Sequence, residues 1–167
     1  MKPGRGPLRV VAFDLRAKRF GFVALERVES AARLLDWGIR GFRNLRASAV
    51  RPRIAQLLDM YQPSIVVLSG RSSHRTGGRT LRSGVEEECA KRRIHVRLVD
   101  HRVVKEHFGK DGCKNKHDIA TAISRRFPDL AWKLPARRRL WQTEACQMTI
   151  FDAAALALAW HCARDHG

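Results

Sequence analysis

The sequence predicts an α/β fold: a mixed five-stranded sheet flanked by helices, in the order β-β-β-α-β-α-β-α-α. Three observations predict it. Short apolar runs rich in β-branched residues recur along the chain; the first three follow one another with only turns between them; and the later two are separated by stretches with helical spacing.

The run Leu8 to Asp14 is short, β-branched and ends in a carboxylate, which reads as a buried central strand. Phe20 to Glu26 is a second such run after a basic turn, Arg16 to Arg19, so the two form a hairpin. Arg33 to Phe42 mixes polar and apolar residues, as an edge strand or one with a wet face does. From Arg53 to Tyr61 the apolar positions Ile54, Leu57, Leu58 and Tyr61 have helical spacing, and Pro63 ends the helix. Ser64 to Ser69 is a fourth, buried strand. Gly70 to Gly84 is rich in Gly, Ser and Arg and reads as a loop that runs into a helix over Val85 to Arg92. Ile94 to Val99 is the fifth strand. Asn115 to Phe127 is a helix with Ile119, Ala122 and Ile123 on one face and Pro128 beyond its end. The last helix begins at Glu144 or Met148 and runs to Ala163, rich in Ala and Leu. A three-strand meander with later strands reached through helices is the order of the ribonuclease H fold.

The 167 residues predict a single domain over 1–167 with a short basic N-terminal tail, about residues 1–7, and the 44% apolar content supplies a core. Lys and Arg number 33 against 16 Asp and Glu, for a formal charge of +17. A polyanionic partner follows. Nucleic acid fits better than membrane, because no apolar run approaches a spanning length and the basic residues are dispersed. With no apolar signal segment at the N-terminus, the expected compartment is the cytosol. Cys89, Cys113, Cys146 and Cys162 are widely spaced, form no CxxC or CxxH pair, and read as core or surface thiols.

Two acids stand out. Asp14 closes an apolar strand, where a carboxylate is costly to desolvate unless it meets a cation or hydrogen-bond donors; the alternative is a strand-end Asp capping a turn. Asp152 is the sole charge in Met148 to Trp160, where it either belongs to a site or answers the dipole of its helix. Glu144 lies eight residues before it, about 12 Å away on a continuous helix, so it reaches the same site only if the helix starts later. His74 is a loop histidine or a ligand, and Glu86, Glu87 and Glu88 read as a solvated face with Lys91 and Arg92.

The segments VVAFDLRAKRFGFVALE (Val10 to Glu26), QPSIVVLSG (Gln62 to Gly70), RVVKEHFGKDGCKNKHDIATAI (Arg102 to Ile123) and FDAAALALAWH (Phe151 to His161) resemble, in order and spacing, those of the RuvC-type junction resolvases. In the third segment that family has a lysine-bearing helix, a glycine and a basic helix start. The resemblance implies a metal-dependent endonuclease on branched DNA, acting as a homodimer with Mg2+ or Mn2+. It places Asp14 on the family's first catalytic, metal-binding Asp and Asp152 on its last. The family's two other acids, a Glu and an Asp, fall on Ser69 and Thr149 in this chain.

Phosphate contacts are expected from Arg71, Arg75, Arg79 and Arg82 in the Gly- and Ser-rich stretch, from Lys105, Lys114 and Lys116, and from Arg137, Arg138 and Arg139. Trp132 and Trp141 flank the last three, to stack on an unpaired base or to fill core. Two readings compete with the nuclease: a non-catalytic ribonuclease H-fold module that binds nucleic acid, and a YqgF-like factor acting on structured RNA. A third carboxylate beside Asp14 favours the nuclease; an Arg or Lys in its place favours the binding module.

Overall fold

The computed structural model describes residues 6–71 and 76–165. Strands β1 (Leu8–Leu15), β2 (Arg19–Val28), β3 (Ala31–Gly41), β4 (Ile65–Ser69) and β5 (His95–Val99) form one sheet in the order β3-β2-β1-β4-β5. The first three make the antiparallel meander, with β3 at one edge. β4 runs parallel to β1 and β5 parallel to β4, at the other edge. Parallel neighbours require crossovers, supplied here by α1 (Ala47–Tyr61) and α2 (Thr76–Lys91). Then come α3 (His101–Gly109), α4 (Lys116–Arg126), a 3-10 turn (Pro128–Lys133) and α5 (Met148–Asp165). This is the expected mixed sheet of the ribonuclease H type, with one more helix, α3, than apolar spacing shows; only the family resemblance points to it.

Alternation along the strands sorts the core into two layers. Val10, Ala12, Val23, Leu25 and Val67 pack beneath α3, α4 and α5. Val11, Phe13, Phe20, Phe22, Val66 and Leu68 pack beneath α1 and α2. Strands covered on both faces read as unbroken apolar runs, which is why β1, β2 and β4 are plain in the sequence. Helix α5 touches all five strands, α3 and α4. Such a helix must be apolar nearly all round, and Ile150 through Ala159 are buried apart from Asp152.

Two helix starts differ from expectation. α1 begins at Ala47 rather than Arg53, because buried Val50 adds a turn to the stripe of Ile54, Leu57 and Leu58 and Pro52 is accommodated within it. α2 begins at Thr76, inside the stretch expected to be a loop to Gly84. Packing explains this: a Cβ on Gly77 would stand 1.9 Å from the Ala17 carbonyl oxygen, so only glycine lets the helix seat on the β1–β2 turn. Tertiary contact here overrides the poor helix propensity of Gly77 and Gly78.

None of the four cysteines is in a disulfide; Cys89 is buried and Cys146 exposed. Among the described residues no helix is long and apolar enough to cross a membrane.

Candidate active site

Val10, Ala12 and Asp14 alternate onto the face covered by α5, and Arg16, two residues on, continues that series into the turn closed by Arg16 N–H to the Arg19 carbonyl at 2.9 Å. Gly21 is the cross-strand neighbour of Asp14. A Cβ there would lie 2.5 Å from the backbone carbon and oxygen of Thr149, so the missing side chain lets the first turn of α5 rest directly on β2. That close approach brings Asp152, one turn on, beside Asp14.

Arg16 joins them. Its Nε donates to Asp14 Oδ2 at 2.7 Å and its Nη2 to Asp152 Oδ2 at 2.5 Å. The same Nη2 reaches Glu144 Oε1 at 3.2 Å. Glu144 can do this because α5 starts only at Met148, leaving Glu144 in the preceding non-helical segment. Lys116 completes the cluster. Asn115 caps α4 by accepting from the Asp118 N–H, so Lys116 sits at the helix start, its Nζ 3.3 Å from both Glu144 carboxylate oxygens and 3.2 Å from Asp152 Oδ2.

Three carboxylates therefore face two cations. Burial, and then repulsion from Asp152, push Asp14 up to about 6 despite Arg16. Asp152 is also raised, chiefly by burial, with Lys116 and Arg16 opposing. For Glu144 burial acts upward, but Lys116 and Arg16 hold it below the usual carboxylate range.

A cavity of about 830 Å³ opens over the cluster, lined by Asp14, Arg16, Arg71, Arg82, His101 and Lys116 among others. His101 is a residue that sequence reasoning missed. Burial, then Lys105, Arg71 and Lys116, push its pKa down, so its imidazole is neutral near pH 7. A second groove of about 930 Å³ shares Lys116 and Glu144 with this site and runs past Arg137, Arg138 and Trp141.

Of the residues expected to meet phosphate, Arg71, Arg82 and Lys116 line the first cavity, and Arg137 and Arg138 line the second. Arg79, Lys105, Lys114 and Arg139 are exposed, and Arg82 also pairs with Glu86 at 2.9 Å. Arg75 and His74 lie outside the described residues. Ser69 lines the cavity, where its Oγ accepts from the Arg71 N–H at 3.3 Å. Thr149 is buried against Gly21 and donates its hydroxyl to the Cys146 carbonyl at 2.7 Å. Glu86 bonds to the cavity-lining Arg82 and Glu87 to Arg51, and neither carboxylate itself lines the cavity. Glu88 keeps the expected partners Lys91 and Arg92 but is buried rather than solvated, because those two salt bridges cover it. Trp132 and Trp141 are not core: they are 70% and 77% exposed.

No protein-family model matches the sequence, and no curated protein matches it. Solved structures do match. Thermus thermophilus RuvC superposes with a TM-score of 0.70 at 17% identity, covering 95% of this chain and 97% of that one. The T. thermophilus RuvC in complex with Holliday junction substrate gives 0.69 at 16%, covering 95% and 96%. The fowlpox virus Holliday junction resolvase gives 0.60 at 10%, covering 93% and 99%. At these identities the shared property is the fold, and it extends over nearly the whole of both chains. The chain has the RuvC-type, ribonuclease H-like fold.

Proposed function

We propose that the protein is a cytosolic endonuclease acting on branched DNA in the manner of the RuvC-type resolvases, with Asp14, Glu144 and Asp152 as its reaction centre. The observation that carries this reading is the convergence of the third carboxylate: Glu144 shares both Arg16 and Lys116 with Asp152 and stands in for an acid the resemblance does not supply. The junction-bound neighbour supports branched DNA as the substrate. The charge of +17 supports tight, salt-sensitive binding.

Whether these residues suit a metal is a matter of charge and donor type. Carboxylate oxygens on three separate elements suit a hard Mg2+ or Mn2+, and the raised Asp14 marks a centre short of positive charge. As arranged, however, the Arg16 guanidinium holds the middle, and among the described residues no three His, Cys, Asp or Glu side chains stand in metal-ligand geometry. The donor types suit a single ion, which Asp14, Glu144 and Asp152 would hold only once Arg16 has left the middle of the cluster. Such an ion would supply Lewis-acid stabilisation of the phosphate and would make the attacking water more acidic.

The chain's own residues do the rest. Arg16 and Arg71 bind the scissile phosphate, with Lys116 offsetting its charge. His101, neutral in the same cavity, accepts the proton of the attacking water at an imidazole nitrogen. A homodimer would present two such centres to the two equivalent strands of a four-way junction.

The same Arg16 favours a second reading, in which the guanidinium permanently replaces the metal and the protein only binds junctions. A labelled four-way junction with Mn2+ separates the two. Cleavage by the parent that Asp14→Asn and Glu144→Gln both abolish supports the nuclease. Tight junction binding without cleavage at any metal concentration rules out catalysis and leaves the binding module.

A further inference from the structure

The segment between the 3-10 turn and α5 carries a feature that neither fold nor reaction centre explains. Arg139 and Gln142 close a tight turn twice over: Gln142 N–H donates to the Arg139 carbonyl at 3.0 Å, and Arg139 N–H donates to Gln142 Oε1 at 3.1 Å. The two residues at its tip are Leu140 and Trp141. Turn tips ordinarily carry Gly, Pro, Asn, Asp or Ser. Here they carry two large apolar side chains, 101% and 77% exposed. The tip is supported from below. His117 Nε2 is 3.2 Å from the Pro135 carbonyl, tying the segment to α4, and Glu144 is tied to Lys116 on its other side. Around the tip lie Arg137, Arg138 and Arg139, the last with its guanidinium 5.6 Å from the Trp141 ring centroid.

We propose that this turn is a base-stacking wedge, which presents Leu140 and Trp141 to unpaired or unstacked nucleobases while Arg137 to Arg139 bind the flanking phosphates. The proposal rests on the branched-DNA reading and names the part of the DNA that this surface takes. Charge complementarity selects the occupant. A partner protein covering an apolar tip would not call for three consecutive arginines beside it, whereas a base stacks on an aromatic face and brings a phosphate with it. The place is suitable as well: Trp141 lines the groove that shares Lys116 and Glu144 with the reaction centre, so bases opened by the wedge lie next to the scissile position. Trp132 has a different position. It packs edge-on against Trp37 at 5.5 Å with Lys133 over its ring, on the flank of the sheet.

The test uses the full-length protein with a four-way junction carrying 2-aminopurine at the branch, a single strand and a linear duplex. The variants are Leu140→Ser with Trp141→Ala, and Trp141→Phe alone. Both positions are solvent-exposed, so folding is unaffected. The double variant should lose about tenfold or more in affinity for junction and single strand, the scale of one lost base–aromatic stack, and keep its affinity for duplex. The parent should raise 2-aminopurine emission and the double variant should not; Trp141→Phe, which keeps a ring, should retain most of both effects. An equal loss on all three DNAs, or no loss on any, overturns the wedge while leaving DNA binding intact. A double variant that instead loses self-association in sedimentation overturns it in favour of a second copy as the occupant. A parent that binds none of the DNAs at low salt refutes the branched-DNA reading itself, and the wedge with it.

Discussion

Replacing Arg16 by Met keeps an unbranched apolar stem and removes the charge and the donors, which leaves Asp14, Glu144 and Asp152 with Lys116 as the remaining cation of the cluster among the described residues. Arg16 makes three charge-assisted hydrogen bonds there, at 2.7, 2.5 and 3.2 Å. Removing one partner of a fully buried ion pair costs about 3–5 kcal/mol. The Arg16 side chain is one-third exposed, so solvent screening lowers this to about 2–4 kcal/mol at pH 8. The pH dependence has a definite sign. Asp14 has a folded value near 6 against 3.8 unfolded, so the native state holds the extra proton between the two. Asp14 therefore contributes most to stability below about pH 4, and this contribution is lost as pH rises through 6. Without Arg16 the folded value rises further, so the variant should lose its stability over a wider window and approach the parent at pH 5. Thermal melting from pH 5 to 8 should show a deficit of roughly 5–15 °C at pH 8, given about 2–4 °C per kcal/mol at this chain length. It should shrink towards acid, and Mn2+ at pH 8 should restore part of it. A variant that melts with the parent at pH 8 refutes the account of Arg16 as counter-ion of the cluster.

Three further outcomes are expected. Gly21→Ala puts a methyl 2.5 Å from the Thr149 backbone and should destabilise by about 1–3 kcal/mol while separating Asp14 from Asp152, read by melting and by loss of cleavage together; parent-like behaviour in both would show that the strand and helix do not meet there. Replacing Arg137, Arg138 and Arg139 by Gln should flatten the slope of log affinity against log salt for junction binding by roughly 2–3, at about 0.9 per phosphate, and an unchanged slope would move the phosphate contacts to Arg71 and Lys116. Ser69→Glu adds a carboxylate on the cavity wall and should increase the stabilisation by Mn2+ measured by melting, whereas Thr149→Asp should destabilise with or without metal, because Thr149 is buried against Gly21; a metal-dependent gain from Thr149→Asp would contradict that packing.

The strands were legible because both faces of the sheet are covered, which leaves β1 and β4 as apolar runs that no helical spacing imitates. Asp14 and Asp152 were legible for the same reason, as charges in otherwise apolar surroundings. The start of α2 was not, since Gly77 is chosen by contact with Ala17 and not by local propensity. Glu144 depended on where α5 begins: the Ala and Leu pattern has no sharp upstream edge, and a start at Glu144 would have carried its carboxylate about 12 Å away. Arg16 did carry a signal. It stands two residues beyond Asp14, hence on the same face of the strand, but in a basic turn of a basic chain that signal is diluted by every other arginine. His101 has its meaning only from Lys105, Arg71 and Lys116 gathered around it, which no spacing along the chain reveals.

Helix α5 also has a consequence for the order in which the molecule can be built. It is the lid of one sheet face, yet it follows all five strands in the chain. During synthesis the meander, β4 and β5 can pair, and α1 and α2 can cover the opposite face, long before Ile150 to Ala159 exist. Until then Val10, Ala12, Val23, Leu25 and Val67 form an apolar plane open to water, on a chain whose strong positive charge draws it to any polyanion nearby. The acids Asp14 and Asp152 meet only when that plane closes, so the acid cluster and the finished core arrive in the same step.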